Sequence, residues 1–446
     1  MKIKIVSQRR RDAKKENNKK TLCVLASLRE TRNKMNTQAE LSKKIMPSIF
    51  LTVFIDMLGV GIIIPILAPI MLDPAYGMLP FATTEATRNI AIGFLISIYP
   101  IMQFFGAPVL GALSDKHGRK KILGISLVGT FIGYLLFAYA IYIKSIELLF
   151  ISRALDGFTG GNIATAMSAI SDVSTKENKA KNFGMVGAAF GMGFVLGPYI
   201  GGKLADSTIV SWFYAGTPLL FAAVLTFINI LLVLFRLPET LKNPQQTKIS
   251  FSTGIKNVAN AFANRETRTV FIVVFLIALG FTFFTQFFQV FLYHKFEYTI
   301  SNIADIFAYV GIWIVVAQAG LIRPLSKRFK AHQILKFTTL SLAIALFFIT
   351  VPDKSIYLFF IIPFVSLSHG LTLPNSNTIV SNSVSPDRQG EILGINQSVT
   401  SFAMSIPPIV AAYLTNININ LPTITASCLV FLAWLVFVVF YKPKNA

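Results

Sequence analysis

The sequence has little charge and almost no cysteine. Only 14% of its 446 residues are charged and 54% are hydrophobic, which is too apolar for a soluble globular protein. The two cysteines, Cys23 and Cys428, exclude a disulfide framework and a zinc site built on cysteine pairs. The sequence also lacks a phosphate-binding glycine loop and a His-Glu-x-x-His motif. We therefore expect no enzymatic activity, no metal and no cofactor.

Acidic residues are scarcer than basic ones. The 41 lysines and arginines outnumber the 20 aspartates and glutamates and give a net charge of +21. A nucleic-acid-binding protein would carry this excess on a folded basic face. Here the basic residues lie beside long apolar segments, as the topology determinants of membrane proteins do. We therefore expect the lipid bilayer as a partner, and no nucleic acid.

Long apolar runs dominate the rest of the chain. A helix needs about 20 mostly apolar residues to cross a bilayer. These runs are apolar on every face, whereas barrel strands would alternate, so they predict helices. They cover residues 49–71, 90–112, 122–142, 146–170, 183–203, 213–235, 269–292, 303–322, 334–351, 356–380, 391–414 and 422–441. The predicted fold class is an all-α integral membrane protein with twelve transmembrane helices.

The distribution of basic residues predicts the orientation. Basic segments precede odd-numbered helices at the N-terminus, at 111–121, at 236–268 and at 323–336. The loops 72–89, 143–145, 204–212, 293–302 and 352–355 are nearly neutral. Lysine and arginine beside spanning helices stay in the cytoplasm, so both termini are predicted to be cytoplasmic. The segment 381–390, with Asp387 beside Arg388, gives no orientation signal.

Residues 1–46 form a polar and basic extension. Their only apolar stretch, Thr21–Leu28, is too short for a cleaved signal sequence. We expect a disordered cytoplasmic segment that contacts anionic lipid headgroups. Translation from Met35 instead of Met1 is the alternative, and it would make most of the extension an artefact of start-codon choice.

The two halves of the chain resemble each other at a spacing near 210 residues. "LSDKHGRKKIL" at 113–123 matches "LSKRFKAHQIL" at 325–335, and "VLGPYIGGKL" at 195–204 matches "SIPPIVAAYL" at 405–414. The repeat predicts a six-helix bundle at 47–235, a cytoplasmic linker at 236–268, a second six-helix bundle at 269–441 and a tail at 442–446. Such repeats indicate a transporter that rocks one half against the other around a midplane site. A channel fits this repeat less well, because channels more often build a pore from several identical subunits. We expect the protein to be a monomer.

Four motifs identify a family resemblance. "GALSDKHGRKK" (111–121) resembles the signature that joins the second and third helices of the major facilitator superfamily. "IDMLGVGIIIPILAP" (55–69), "RALDGFTGG" (153–161) and "GFVLGPYIGG" (193–202) are similar to motifs of its proton-coupled drug antiporters, particularly the tetracycline-efflux group. The resemblance covers nearly all of residues 47–441. It implies the major facilitator fold, a bacterial inner-membrane location and export of a small lipophilic substrate against protons.

The sequence departs from the tetracycline-efflux group at two positions. Gly133 stands where that group carries an aspartate in its third helix, and the eighth helix, with "GIWIVVAQAG", has no histidine. We therefore expect a substrate other than tetracycline. A nutrient symporter of the same fold and a transport-inactive sensor are the alternatives.

The quoted loop at 111–121 predicts a cytoplasmic gate. Gly118 permits a tight turn, and Asp115 can accept hydrogen bonds from Arg119 or from a helix N-terminus of the other half. The resemblance implies that such contacts hold the outward-facing state. The predicted gate residues are Gly111, Asp115, Lys116, Gly118, Arg119 and Lys120. The alternative is a simple topology anchor.

Three ionisable residues lie well inside predicted spans: Asp56, Arg153 and Asp156. Intramembrane charges are costly and usually functional, so we predict that these residues couple transport to protons. Arg153 and Asp156 are three positions apart and can pair on one helix face. A self-neutralising Arg153–Asp156 pair and a purely structural Asp56 are the alternatives.

Two further sets of residues are candidates for a functional role. For both sets, the alternative is a role in helix packing only. The fifth helix carries Gly193, Gly197 and Gly201 on one face, with Pro198 and Gly202 beside them, which suits close packing or a hinge. The seventh helix, "FTFFTQFFQVF", offers Gln286 and Gln289 for a lipophilic pocket. We assign no role to the lone His369.

Overall fold

The computed structural model describes residues 45–174, 179–241, 251–384 and 389–442. All regular elements within these ranges are helical. Four sequence predictions lie wholly or largely outside them: the extension at 1–44, the middle of the linker at 242–250, the loop containing Asp387 and Arg388, and the tail at 443–446.

The described part of the first half contains seven α-helices. They are α1 Ile45–Leu72, α2 Glu85–His117, α3 Arg119–Ile143, α4 Ile146–Thr159, α5 Asn162–Val173, α6 Lys179–Leu204 and α7 Thr217–Arg236. Side-chain hydrogen bonds cap the N-termini of several of these helices. The Thr84 hydroxyl accepts from the Thr87 amide at the start of α2, and Ser145 does the same for Leu148 of α4.

The described residues from 251 onwards contain nine α-helices. They are α8 Thr253–Ala263, α9 Arg268–Phe296, α10 Ile300–Val315, α11 Ile322–Arg328, α12 Ala331–Ile349, α13 Leu358–Asn382, α14 Gln389–Ser405, α15 Pro407–Ile417 and α16 Leu421–Phe440. A π-helical segment, Val316–Leu321, joins α10 to α11. Such segments occur mostly as single wide turns inserted in α-helices.

Ten helices of the described residues are long and apolar enough to cross a membrane. They correspond to ten of the predicted spans, with α10 and α11 forming one and α14 and α15 contributing another. The predicted fourth span is not among the ten, because Gly160–Gly161 divides it into helices of 14 and 12 residues. The 26-residue helix α6 occupies the position of the predicted fifth span, and it too is not among the ten.

The interruption between α4 and α5 frees backbone carbonyls inside the protein. The Ser126 hydroxyl donates to the Thr159 carbonyl, and Gln103 Nε2 donates to the Gly160 carbonyl at 3.1 Å. Non-helical backbone at membrane depth is tolerated where protein groups satisfy it. Neighbouring helices α2 and α3 therefore supply the hydrogen bonds that this span cannot make by itself.

Two ends of the molecule are distinguished by their connections. We call the end where Gly118 joins α2 to α3 the turn end, and the end where residues 73–84 join α1 to α2 the loop end. Between the two halves, α6 packs along α10, and α2 packs along α14 and α15. A large apolar core, which includes the phenylalanines of α9, extends across both halves towards the loop end.

Candidate functional site

Asp56 lies in the interior of the first half, where α1 meets the start of α5. Its side chain is 8% exposed, and its Oδ2 accepts a hydrogen bond from Asn162 Nδ2 at 2.9 Å. Asp56 Oδ1 and Asn162 Oδ1 are both buried without a hydrogen-bond partner in the described part of the chain. One neutral amide donor is a weak counterpart for an ionised carboxylate away from water. The site therefore suits a carboxyl group that gains and loses a proton.

Arg153 and Asp156 pair within α4, as their spacing predicts. Arg153 Nη1 lies 3.2 Å from Asp156 Oδ2, and both side chains are buried. The guanidinium carbon lies 4.5 Å from the centre of the Tyr99 ring of α2. An aromatic face attracts a desolvated cation, so Tyr99 adds to the stabilisation of Arg153. Arg153 Nε has no hydrogen-bond partner among the described residues, which leaves one donor unused.

Gly133 of α3 faces Asp156. A Cβ atom at position 133 would lie 3.1 Å from the Asp156 Cβ, tighter than an ordinary contact. The absence of a side chain there leaves room for the α4 carboxylate. The negative charges of Asp56 and Asp156 also act on each other. A proton on either carboxyl therefore changes the cost of ionising the other.

The turn end holds a second polar network around Arg119. Its guanidinium forms an ion pair with Asp115 four residues before it, and its Nε donates to Asp172 Oδ2 of α5 at 3.1 Å. Its Nη1 also donates to the Ser114 hydroxyl at 2.7 Å. The predicted contact between Asp115 and Arg119 is therefore present. Within the described residues, Asp115 forms its ion pair with Arg119 and none with a helix end of the second half.

A carboxylate caps a helix in this network, but it belongs to Glu239. Its Oε1 accepts from the Arg119 amide at 2.9 Å and its Oε2 from the Lys120 amide at 3.2 Å, at the N-terminus of α3. Negative charge is favourable at a helix N-terminus. Gly118 adopts φ +101°, and a Cβ there would overlap the Glu239 carboxylate. Glycine is thus required both by the turn and by the cap.

The remaining predicted gate residues have peripheral positions. Gly111 lies within α2, with Ala164 of α5 at the limit of contact distance from its Cβ position. The exposed Lys116 lies in the last turn of α2, where a cation suits the helix C-terminus. Lys120 joins the network through its backbone amide.

The glycines of α6 face α1 at close range. A Cβ at Gly193 would crowd Met57, one at Gly197 would lie 2.6 Å from the Leu58 carbonyl, and one at Gly201 would overlap the Ile62 carbonyl. Pro198 of the same helix lies against Gly61 of α1. Gly202 faces the opposite way, towards Ala304 of α10 in the second half. Helix α6 is therefore in direct contact with the helix that carries Asp56 and with the other half.

Gln289 of α9 is fully buried. Its Oε1 accepts from the Ala68 amide of α1 at 3.1 Å, and its Nε2 donates to the Gln286 carbonyl at 3.3 Å. Gln289 therefore connects α9 of the second half to α1 of the first half. This contact agrees with the alternative that Gln289 serves in helix packing. The surrounding phenylalanines are mostly buried, whereas Phe281 stacks on His369 with ring centres 3.4 Å apart.

Sequence reasoning missed four residues that complete these sites. Asn162, Tyr99, Asp172 and Glu239 each contact a predicted residue. Asn162 is an amide within an apolar span, and Glu239 lies just beyond the end of a helix. Both positions are weak sequence signals for a functional residue. Tyr99 and Asp172 come from separate helices, and their contacts depend on packing that no spacing rule provides.

A family model described as Major Facilitator Superfamily matches residues 49–408. Multidrug resistance protein 1 of Bacillus subtilis is 28% identical over 85% of this chain and 92% of that protein. The class C tetracycline resistance protein of Escherichia coli is 28% identical over 80% of this chain and 86% of that protein.

Solved structures share the fold at lower identity. The crystal structure of a D-xylose-proton symporter matches with a TM-score of 0.71 and 14% identity. The match covers 89% of this chain and 98% of the symporter. At this identity the likeness extends to the fold alone.

Proposed function

The chain belongs to the Major Facilitator Superfamily, and from that premise we propose that it is a proton-coupled antiporter exporting small lipophilic compounds. Its candidate spans and bacterial relatives make it an integral protein of the bacterial inner membrane. Its relatives include proteins named for multidrug and tetracycline resistance, which supports a small-molecule exporter. Protons are the second partner, and the working unit is a monomer.

One observation carries the proposal: Asp56 is buried with one carboxylate oxygen unpartnered in the described residues. An ionised carboxylate in the membrane interior is costly, and protonation removes that cost. The amide of Asn162 can donate to the carboxyl in either state. Asp56 can therefore load and release a proton without disassembly of the site.

The transport cycle that we propose is alternating access between two six-helix bundles at 47–235 and 269–441. The interrupted pair α4–α5 and helix α6 cross the membrane with the ten candidate spans, for twelve in all. The turn end faces the cytoplasm, because the basic segments lie there. The loop end faces outwards, and both chain termini are cytoplasmic.

Protonation of Asp56 changes the balance between the two access states. The neutral form lowers the cost of moving the first half past the second, and the ionised form restores the substrate-accepting state. Arg153 and Asp156 respond to the same proton through the interaction of the two carboxylates. The glycine face of α6 transmits the movement of α1, because the two helices are in contact.

The turn-end network acts as the cytoplasmic gate in this proposal. Arg119 joins α2, α3 and α5, and Glu239 fixes the chain leaving α7 to the start of α3. The first half therefore moves as one body at this end. Gln286 is the proposed contact for substrate, while Gln289 positions α9 against α1.

The test uses purified full-length protein in liposomes that contain a pH-sensitive dye. Lipophilic drugs and labelled sugars and organic acids are added separately. A drug gradient that moves protons in the opposite direction supports the antiporter. Co-movement of protons with a sugar or organic acid would establish a symporter instead. The absence of ion-dependent movement for every compound would favour the transport-inactive sensor.

A further inference from the structure

A chain of polar side chains joins the two halves at the loop end. Asn416 of α15 donates through Nδ2 to the Ala86 carbonyl of α2 at 3.1 Å. Asn89 of α2 donates through Nδ2 to Asn416 Oδ1 at 2.9 Å. His294, near the end of α9, completes the chain with Nε2 3.4 Å from Asn89 Oδ1. Its other nitrogen, Nδ1, lies 3.2 Å from Glu85 Oε1.

The direction of every hydrogen bond in this chain follows from its first member. A backbone carbonyl only accepts, so Asn416 must present its amino group to Ala86 and its oxygen to Asn89. Asn89 must then donate to Asn416, which leaves its own oxygen facing His294. An amide oxygen only accepts, so His294 must donate from Nε2.

The second ring nitrogen has the same requirement. The Glu85 carboxylate is an acceptor, so its 3.2 Å contact with Nδ1 is favourable only when Nδ1 carries a proton. A neutral imidazole carries one N–H and cannot satisfy both partners, whereas the imidazolium carries two. Both contacts of His294 are therefore satisfied together only when both ring nitrogens carry protons.

The charges around this site are few. Glu85 interacts electrostatically with His294, and Asp73, Glu85 and Arg88 all interact with the adjacent Tyr293. The Arg88 guanidinium is directed to the backbone carbonyls of Met71, Pro80 and Thr83, and Lys295 Nζ donates to the Thr350 carbonyl. Helix α15 contributes no charged side chain. Glu85 is thus the acidic partner that directly faces the imidazole.

We propose that these four side chains form a proton-dependent clasp that closes the loop end. Imidazolium at His294 holds α9 and α15 of the second half against α2 of the first half. Loss of one proton leaves one ring nitrogen facing an acceptor with no hydrogen between them. The Glu85 side chain is 71% exposed and that of His294 is 19% exposed, so protons reach the pair from the loop-end side. Acid outside the cell therefore favours the state that is open to the cytoplasm.

This inference rests on the proposed alternating-access function. The clasp would regulate that function at the loop end, away from Asp56. The Asp56 site requires a proton in the interior, whereas the clasp senses the pH of the outer solution. The clasp depends on the protonation of the imidazole of His294, whose partner Glu85 is exposed at the loop end. For an exporter, outer protons would then speed the return to the substrate-loading state.

The test measures the opening of the loop end directly, by electron-spin distance measurements on full-length protein in nanodiscs. Spin labels replace Tyr142 of α3 and Ile417 of α15, which are 73% and 76% exposed, after Cys23 and Cys428 are changed to serine. As the pH is raised from about 5 to about 8, the interval in which histidines in proteins lose their charge, the open fraction should rise. The open-to-closed ratio should change about three- to fivefold, the size expected for a partly exposed ion pair.

Two variants should remove this response in opposite ways. His294→Gln cannot carry the charge, so the loop end should be more open at both pH values. Glu85→Gln offers an amide that can donate to a neutral His294, so the clasp should stay closed at both. His332→Gln at the turn end is the matched control and should respond as the parent does. The distance measurements on the parent and on all three variants are repeated in the Asp56→Asn background. Titration of Asp56 then cannot account for a pH-dependent change in the open fraction.

Unchanged pH dependence in Glu85→Gln or His294→Gln would overturn the clasp. The proposed function has a separate readout, which is substrate-driven proton movement in liposomes. A protein that transports but shows no pH-dependent opening loses only the clasp. A protein that opens with pH through His294 but moves no compound retains the clasp and loses the proposed transport function.

Discussion

The two halves of the molecule differ in where they bury charge. The first half buries five charged side chains within the described residues: Asp56, Arg88, Arg119, Arg153 and Asp156. In the described part of the second half, no Asp, Glu, Lys or Arg side chain is buried. Its buried polar groups are hydroxyls and amides, such as the Thr338 and Thr372 pair between α12 and α13. The described parts of the two halves therefore have different interiors, one with buried charges and one with buried hydroxyls and amides.

The corresponding turns show the same contrast. Leu113–Leu123 and Leu325–Leu335 match at an offset of 212 positions, which places Lys327 at the position of Asp115. In the first turn, acidic residues from three segments surround Arg119. In the second, the basic side chains have no acidic partner in the described part of the chain. This contrast supports our prediction that the first turn does more than set the orientation of the chain.

The largest expected effect is at Asp56. We expect Asp56→Asn to lower substrate-driven proton movement in liposomes by at least about a hundredfold, because the amide cannot take up the coupling proton. Protein abundance and substrate binding should remain measurable. Ser366→Ala, which removes a buried hydroxyl of the second half, is the control and should leave coupling intact. Normal proton flux in Asp56→Asn would transfer the role to Asp156.

The Arg153–Asp156 pair should show the second largest effect. Asp156→Asn leaves a buried cation without its partner, a loss of about 3 kcal/mol or more of stability. The double change Asp156→Asn with Arg153→Gln should recover much of that loss, measured as thermal unfolding in detergent. A parallel cycle with Thr338→Val and Thr372→Val should give a coupling below about 1 kcal/mol. Additive losses at 153 and 156 would show that the pair is not coupled.

Asp115 tests whether the first turn does more than set orientation. Removing its charge while keeping its size, in Asp115→Asn, should lower efflux about tenfold through a weakened gate, with membrane insertion unchanged. Lys327→Gln makes a charge change at the corresponding position of the second turn and should have little effect on efflux. Equal behaviour of the two variants would favour the simple topology anchor.

The smallest effect concerns helix packing. Gly201→Ala places a methyl group against the Ile62 carbonyl, and overpacking of this kind typically costs about 1 to 3 kcal/mol. The higher helix propensity of alanine offsets about 1 kcal/mol, so a modest net loss of thermal stability remains. Gly394→Ala in α14 is the control, since no atom lies within 4 Å of its Cβ position. Equal stability of the two variants would contradict the close approach of α1 and α6.

The sequence was sufficient for the helical class and the family, because apolar run length and motif spacing are local properties. It also predicted the Arg153–Asp156 pair and the Asp115–Arg119 contact, which join residues three and four positions apart. It did not predict Asn162 as the partner of Asp56, Glu239 as the cap of α3, or the contact of Gln289 with Ala68. Each of these joins residues over a hundred positions apart, so it exists only once the helices are packed. The proposed roles of all these residues remain predictions.

The interruption at Gly160–Gly161 has a consequence for biogenesis. Helices of 14 and 12 residues are each too short to cross a bilayer, and the carbonyls between them need donors from Ser126 and Gln103. We therefore expect residues 146–173 to leave the translocon only when α2 and α3 already lie alongside. In a variant with Cys23 and Cys428 changed to serine and a single cysteine introduced within residues 146–173, replacing both Ser126 and Gln103 with alanine should raise the fraction of newly made chains in which that cysteine reacts with water-soluble thiol reagents. Synthesis order thus becomes part of folding, since α2 and α3 emerge from the ribosome first and serve as the template for the segment that follows.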